Sequence, residues 1–226
     1  MNKAWFYGCS FTDRLAAQME TKPIYDSFRK EGYEIVNRGR MSASNYYIYD
    51  RINEDIDLIG ENDIVIVQWS ALTREHRLKP SSKSLLDGLI EGFIDVVMEA
   101  QDRFKENNIN FLQYIGWTQF MDSELSDSHR SMISKFKNFT WIETPELKDI
   151  IRSNCTMNIG NKGLIVGEGE YLWPANNWGG LSEWVRNNIR VDDRYYDPPI
   201  DPHPSFYAFN KFIIEVILPK LKKNMI

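Results

Sequence analysis

The segment that most constrains the fold is the apolar run Ile64-Val65-Ile66-Val67, which continues into Gln68-Trp69. A run of β-branched residues without polar alternation is typical of a strand that is buried on both faces. Such strands occur in parallel sheets that are covered by helices on both sides. The run therefore predicts an α/β fold with a central parallel sheet.

The segments around this run alternate between strand and helix patterns. Strand-like segments cover Ala4–Tyr7, Tyr33–Asn37 and Phe111–Ile115. Between them, apolar residues recur at helical spacing from Ile48 to Ile59 and from Leu86 to Phe104, and Ser44 is a predicted N-cap. This alternation predicts a sheet whose consecutive strands are joined by helices that pack on both faces.

The remaining segments give weaker signals. The stretch 155–199 is rich in Gly, Asn and Trp and has no clear period, which predicts an aromatic-rich insertion on the body of one domain covering 1–226. We expect a short strand at Thr140–Ile142 and helices at Arg14–Met19, Ser131–Phe136, Pro145–Ile151, Leu181–Val185 and Phe206–Leu221.

Composition narrows the classes of function. The 226 residues fit one domain, and a formal net charge of −5 argues against a nucleic-acid-binding protein. Cys9 and Cys155 are the only cysteines, which indicates a reduced compartment rather than a disulfide framework. The start of the chain does not resemble a signal peptide, and no apolar run approaches the roughly 20 residues that span a bilayer. We expect a cytoplasmic or virion-associated protein with no membrane span.

Two motifs near the chain ends carry the chemistry. His203 lies between two prolines in Asp201-Pro202-His203-Pro204, so a stiffened loop presents its imidazole, and Asp201 could orient it. Ser10 follows the first predicted strand, and open α/β sheets place their chemistry at the carboxyl ends of strands. Ser10, His203 and Asp201 are therefore the predicted catalytic triad.

These motifs resemble the SGNH/GDSL hydrolases, which have a flavodoxin-like three-layer α/β/α sandwich. Gly8-Cys9-Ser10 stands where that family has Gly-Asp-Ser, with Cys9 in the place of the aspartate. The Asp-Pro-His-Pro segment at 201–204 resembles the last block of the family. The resemblance implies that Ser10 is the nucleophile and that its backbone N–H is one donor of the oxyanion hole.

Two further segments match the family in part. In the segment 37–45, the resemblance implies a second backbone donor at Ser42, with Gly39 as the alternative. In the segment 68–74, the family usually has an Asn whose amide is the third donor. That Asn is absent here, and the resemblance places Ser70 in its role. This segment matches a Trp-Ser-x-x-x-Arg version of the block, which makes Trp69 and Arg74 candidates for binding the substrate.

Simpler interpretations stand beside these roles. Ser10 could be an ordinary turn residue or N-cap. A cysteine phosphatase does not fit, because only four residues separate Cys9 from Arg14 where that motif has five. Cys9 is interpreted as a small buried residue, and His76 and His129 as surface residues. The scattered histidines indicate no metal site, we expect no cofactor, and an FMN-binding loop is not evident.

The sequence thus predicts a serine esterase that hydrolyses a small ester, for example an O-acetyl group on a glycan. The alternative is a weakly active or inactive protein of this fold with a structural or binding role, for example on a phage particle. In either case the aromatic insertion is a candidate surface for a protein partner or for self-association.

Overall fold

A five-stranded parallel sheet forms the centre of the computed structural model, which describes residues 1–10, 12–13, 25–74, 84–117, 119–145, 147–151, 157–158, 164–165, 169–173, 175–190, 193–197 and 201–224. The strand order is β2-β1-β3-β4-β5, and all neighbouring pairs are parallel. The strands are β1 (Asn2–Tyr7), β2 (Tyr33–Asn37), β3 (Ile64–Trp69), β4 (Asn110–Ile115) and β5 (Phe139–Thr140).

Helices follow the sheet strands in the predicted order. Ser44 and Ser84 cap the two helices after β2 and β3 through hydrogen bonds from Tyr47 N and Asp87 N, at 3.1 Å each. The predicted helix at 14–19 lies outside the described residues. The helices are α1 (Asp26–Lys30), α2 (Asn45–Asp55), α3 (Leu85–Glu106), α4 (Asp127–Ile133), α5 (Leu181–Asn188), α6 (Phe206–Phe212) and α7 (Leu218–Asn224), and a π-helical turn (Ile213–Ile217) joins the last two.

Each face of the sheet is covered by its own layer of helices. Along β1, Trp5 and Tyr7 pack on the side of α2 and α3, whereas Ala4 and Phe6 pack on the side of α1, α5 and the last helices. Strand β3 alternates in the same way and is buried along its whole length. The predicted three-layer α/β/α sandwich is therefore confirmed. None of the helices in the described ranges is long and apolar enough to cross a membrane.

Antiparallel pairs of short strands occupy the second half of the chain. The predicted helix at 145–151 is wrong, because Leu147–Ile151 pairs with Gly169–Trp173 as a strand. Strand pairing with a distant segment outweighs the local pattern here. The pairs are β6 (Ile142–Thr144) with β11 (Asn176–Gly179), β7 (Leu147–Ile151) with β10 (Gly169–Trp173), β8 (Met157–Asn158) with β9 (Leu164–Ile165), and β12 (Tyr195–Asp197) with β13 (Asp201–Pro204).

The predicted helix within the aromatic-rich stretch is part of the body of the domain. Helix α5 buries Leu181 and Val185 against the sheet, and Ser182 N donates to Gly116 O at 2.9 Å. Gly180, just before α5, packs so closely that a Cβ there would collide with the carbonyl oxygen of Ile115 at the end of β4. Only glycine allows this approach of helix and strand.

We expect Gly180→Ala to destabilise the protein by roughly 2 kcal/mol or more, because the clash is with backbone that cannot move aside. Gly92→Ala in α3 is the matched control, since a Cβ there meets nothing within 4 Å. Helix propensity should make the control about 0.5–1 kcal/mol more stable. Urea unfolding of the two variants measures both effects, and equal stabilities would contradict the packing of α5.

A buried carboxylate ties the start of β1 to the start of β3. Asp63 accepts hydrogen bonds from Lys3 N at 2.6 Å, Trp5 Nε1 at 2.9 Å and Gly60 N at 3.0 Å. Burial by itself raises the pKa of this carboxyl. The hydrogen bonds from Trp5, Gly60 and Lys3 outweigh that effect, so the pKa of Asp63 lies below its usual value of 3.8.

The ionised Asp63 therefore stabilises the fold above about pH 4, and this contribution is lost as the pH falls through its lowered pKa. We expect Asp63→Asn to lower the free energy of unfolding by roughly 1–2 kcal/mol at pH 7, because neutral hydrogen bonds replace charged ones. The difference in the free energy of unfolding between Asp63→Asn and wild type should become smaller as the pH approaches 3. Urea midpoints measured between pH 7 and pH 3 test this, with Asp57→Asn as an exposed carboxylate control.

Candidate active site

Ser10 lies at the point where the strand order of the sheet reverses. β1 pairs with β2 on one side and with β3 on the other, which is where open α/β sheets form their binding crevice. Tyr7 of β1 is paired with Val67 of β3. Ser10 and Ser70 each lie three residues beyond this pair, so the two serines follow neighbouring strands at matching positions.

The turn that carries Ser10 is held by a buried glutamine of the neighbouring strand. Cys9 O accepts from Thr12 N at 3.0 Å, which starts a helical turn at Ser10. Gln68 donates to Cys9 Sγ at 3.1 Å and accepts from Thr12 Oγ1 at 3.0 Å. Cys9 is buried as predicted, and Cys155 lies outside the described residues. The sequence analysis missed Gln68, although a polar residue in an apolar strand was a usable signal.

Most backbone donors of the loop after β2 are held in hydrogen bonds. Gly39 N donates to Asn37 Oδ1 at 2.8 Å, so the amide that the alternative assigned to the oxyanion hole is engaged with a side chain. Glycine is needed there for packing, because a Cβ would lie 2.6 Å from Asp13 N. Four further amides of the loop are also engaged, each with one acceptor: Arg38 with Phe6 O, Arg40 with Gly8 O, Met41 with Asp13 Oδ2, and Ala43 with Arg40 O.

Two residues of this loop are exceptions, Ser42 and the N-cap residue Ser44. The backbone N–H of neither has a hydrogen-bond acceptor within the part of the chain that the structure describes. Ser42 is exposed and has φ of 59°, a left-handed conformation that is uncommon for residues other than glycine. An open donor in a strained loop beside the switch point is consistent with the predicted second oxyanion donor.

A buried amide joins this loop to the end of β3. Asn45, the first residue of α2, accepts from Ser70 N at 2.7 Å and donates to Ser70 O at 3.3 Å. Ser70 has no exposed surface, with a relative exposure of 0% compared with 3% for Ser10. The predicted role of the Ser70 hydroxyl as a direct oxyanion donor does not fit this arrangement, because a substrate oxygen has no access to it.

The side chain of Arg74 lies against Ser70. Its Nη1 donates to Ser70 Oγ at 3.3 Å, and its guanidinium carbon lies 5.4 Å from the centre of the Trp117 ring. The side chain is half-buried, and none of the carboxylates in the described ranges forms an ion pair with it. Its predicted contact with an anionic substrate stays a prediction.

Trp69 does not line the site. The side chain is fully buried on the side of the sheet that faces α2 and α3, and its Nε1 donates to Gln113 Oε1 at 2.9 Å. This burial gives no support to the predicted contact between Trp69 and the substrate. The indole has its polar atom satisfied and its ring surrounded by core side chains, which is the usual environment of a buried tryptophan.

The three histidines lie in different parts of the chain, and the structure describes them to different extents. His203 and Asp201 lie on β13, where the structure describes the backbone and not these two side chains, so the triad stays a prediction. His129 is buried rather than on the surface, and its Nδ1 accepts from Ser126 N at 3.4 Å at the start of α4. His76 lies outside the described residues. Within the described ranges, no three potential metal ligands cluster.

Comparison with known proteins finds no matching family model and no matching curated protein. Among solved structures, the chain is similar to a GDSL-like lipase from Bacteroides thetaiotaomicron, with 14% identity and a TM-score of 0.36, over 59% of each chain. A protein described provisionally as a lipolytic member of the G-D-S-L family, from Desulfitobacterium hafniense, shares 17% identity over 60% of this chain and 67% of its own, with a TM-score of 0.39.

A third similar structure is described provisionally as an acylhydrolase from Bacteroides fragilis. It shares 14% identity and a TM-score of 0.35, over 59% of this chain and 58% of its own length. The match thus spans less than two thirds of the Bacteroides fragilis protein. Similarities of this size concern the fold, and the chemistry of this chain rests on its own residues.

We expect Asn45→Ala to lower the free energy of unfolding by roughly 1–3 kcal/mol, because the Ser70 N–H would be left buried without an acceptor. Hydrogen exchange at the Ser70 amide should accelerate by more than exchange in the centre of β3. Asn53→Ala on the same helix is the control, since Asn53 contacts Arg103 at the surface. Equal exchange rates at Ser70 in the two variants would contradict the role of Asn45 as its anchor.

Proposed function

We propose that the protein is a serine esterase in which Ser10 is the nucleophile, His203 the general base and Asp201 the group that orients the imidazole. The observation that carries this proposal is the position of Ser10 on a braced turn at the switch point of the sheet, next to a loop with an open backbone donor at Ser42. A nucleophile and an oxyanion donor at one edge of a sheet are the core of an acyl-transfer site.

The residues divide the reaction between them. His203 takes the proton of the Ser10 hydroxyl as Oγ attacks the acyl carbon, and Asp201 stabilises the imidazolium that forms. The backbone N–H groups of Ser10 and Ser42 donate to the oxygen that becomes negative. His203 then returns the proton to the departing alcohol, and water attacks the acyl-enzyme to release the acid and restore Ser10.

The surroundings of Ser10 favour a small acyl group. Ser10 is only 3% exposed, which favours a short acyl group over a long one. Half-buried aromatic side chains form a cluster beyond β5, in which the Trp141 and Trp178 rings meet edge to face at 5.2 Å. Aromatic faces are suited to stacking against sugar rings, which is consistent with an O-acetylated glycan as the substrate.

A fluorophosphonate probe tests the proposal directly. Attack of Ser10 Oγ on the phosphorus with loss of fluoride should leave an adduct on the peptide that contains Ser10. Ser10→Ala should give no adduct, and His203→Ala should label at least 100-fold more slowly. Ser131→Ala, at an exposed position of α4, should label like wild type. A folded wild-type protein that neither labels nor hydrolyses p-nitrophenyl acetate would refute the proposal.

A second candidate is a structural or binding protein of the same fold, for example of a phage particle. The burial of Ser70 and the absence of the usual Asn in this segment favour it, because both reduce the number of oxyanion donors. The aromatic cluster would then be a surface for a protein partner or a second copy of the chain. Absence of labelling, together with association in sedimentation analysis that is lost in Trp178→Ala, would support this candidate.

A further inference from the structure

The site lacks one donor that acyl-transfer sites of this kind normally have. Ser70 stands where the SGNH/GDSL hydrolases that this chain resembles usually have an Asn, and its side chain is fully buried. We propose that the guanidinium of Arg74 supplies this third donor to the oxyanion, which makes Arg74 a catalytic residue rather than a contact for a charged substrate. The proposal rests on the esterase function proposed above.

The first support is the position of Arg74 relative to Ser10. Its Nη1 donates to Ser70 Oγ. Ser70 lies three residues after Val67 of β3, and Ser10 lies three residues after Tyr7, the partner of Val67 in β1. Neighbouring strands lie about 4.8 Å apart, and an arginine side chain spans roughly 6–7 Å. A guanidinium held at Ser70 is therefore within reach of the edge of the sheet where the acyl group would lie.

The second support is that no carboxylate in the described residues balances the positive charge of Arg74. Arg38 is neutralised by a two-pronged ion pair with Asp55, with both N···O distances at 2.9 Å. Arg40 lies over the Tyr47 ring, 4.9 Å from its centre. Arg74 forms no ion pair with any carboxylate that the structure describes. Its positive charge can therefore act on a negative charge that develops during the reaction.

The third support is the bracing of the turn that carries Arg74. Gln119 accepts from Leu72 N at 2.8 Å and donates to Trp117 O at 2.7 Å, so it joins the turn to the residue under the guanidinium. Asn45 holds Ser70 from the other side. Preorganised donors stabilise a transition state without a cost of reorganisation, and this turn is held at both ends.

A guanidinium uses one N–H for Ser70 Oγ and has four others to offer. One directed at the oxyanion does what the missing amide would do and adds a full positive charge. The guanidinium carbon lies 5.4 Å from the centre of the Trp117 ring, a cation–π contact that favours this position of the group. The hydrogen bond to Ser70 thus positions the guanidinium and leaves its other N–H groups to donate to the oxyanion.

The test uses a neutral ester. Because this substrate has no negatively charged group, an arginine that only binds anionic substrates would not affect its hydrolysis. For Arg74→Ala we expect kcat on p-nitrophenyl acetate, and the rate of fluorophosphonate labelling at Ser10, to fall about 100- to 1,000-fold with little change in KM. Arg74→Gln restores an amide donor and should recover at least tenfold of the loss. Arg103→Ala, at an exposed site on α3, is the matched control and should behave like wild type.

The outcomes separate the possible failures. The assignment is overturned if Arg74→Ala hydrolyses p-nitrophenyl acetate at the wild-type rate. If the rate falls only on a negatively charged ester, such as p-nitrophenyl monosuccinate, Arg74 binds an anionic substrate instead. Thermal melting of both Arg74 variants excludes unfolding as the cause, and recovery in Arg74→Gln separates donation from packing. A wild-type protein that does not label at Ser10 overturns the esterase function itself, and the role of Arg74 with it.

Discussion

The structure depends on the parallel pairing of β1 with β3. Both strands are buried on both faces, so neither can shift its register without exposing a row of core side chains to water or breaking the ladder. This pairing also places the residues after the two strands side by side. Ser10 and Ser70 each follow the Tyr7–Val67 pair by three residues, so the position of the site follows from a feature of the core.

Buried amide side chains then convert this edge of the sheet into a rigid site. Gln68 braces the turn of Ser10, Asn45 anchors Ser70, and Gln119 holds Leu72. Each of these amides satisfies loop backbone or polar atoms that would otherwise be buried without partners, which is costly in an apolar interior. The turns that follow β1 and β3 are thereby held by side-chain hydrogen bonds to other parts of the fold.

The sequence predicts the sheet well and the site only in part. The β-branched run at Ile64–Val67 and the bounds of β2 are evident from local pattern, because burial on two faces leaves a mark on consecutive residues. The anchoring of Ser70 by Asn45 joins residues 25 apart, and no local pattern encodes that contact. The burial of Trp69 is not evident from local pattern for the same reason, because it depends on Gln113 and α3 rather than on neighbours in sequence. The strand at Leu147–Ile151 was mistaken for a helix because its partner lies at Gly169–Trp173.

The left-handed backbone of Ser42 has a consequence for how such sites diverge. Because the open group at this position belongs to the main chain, the side chain is free to change as long as the local dihedral angles persist. A lineage can therefore replace the glycine that is customary at such a turn, accept a small conformational penalty, and keep the hydrogen-bond donor in place. Searches that recognise these loops by their side chains would pass over such a chain, whereas a comparison of backbone conformations would not.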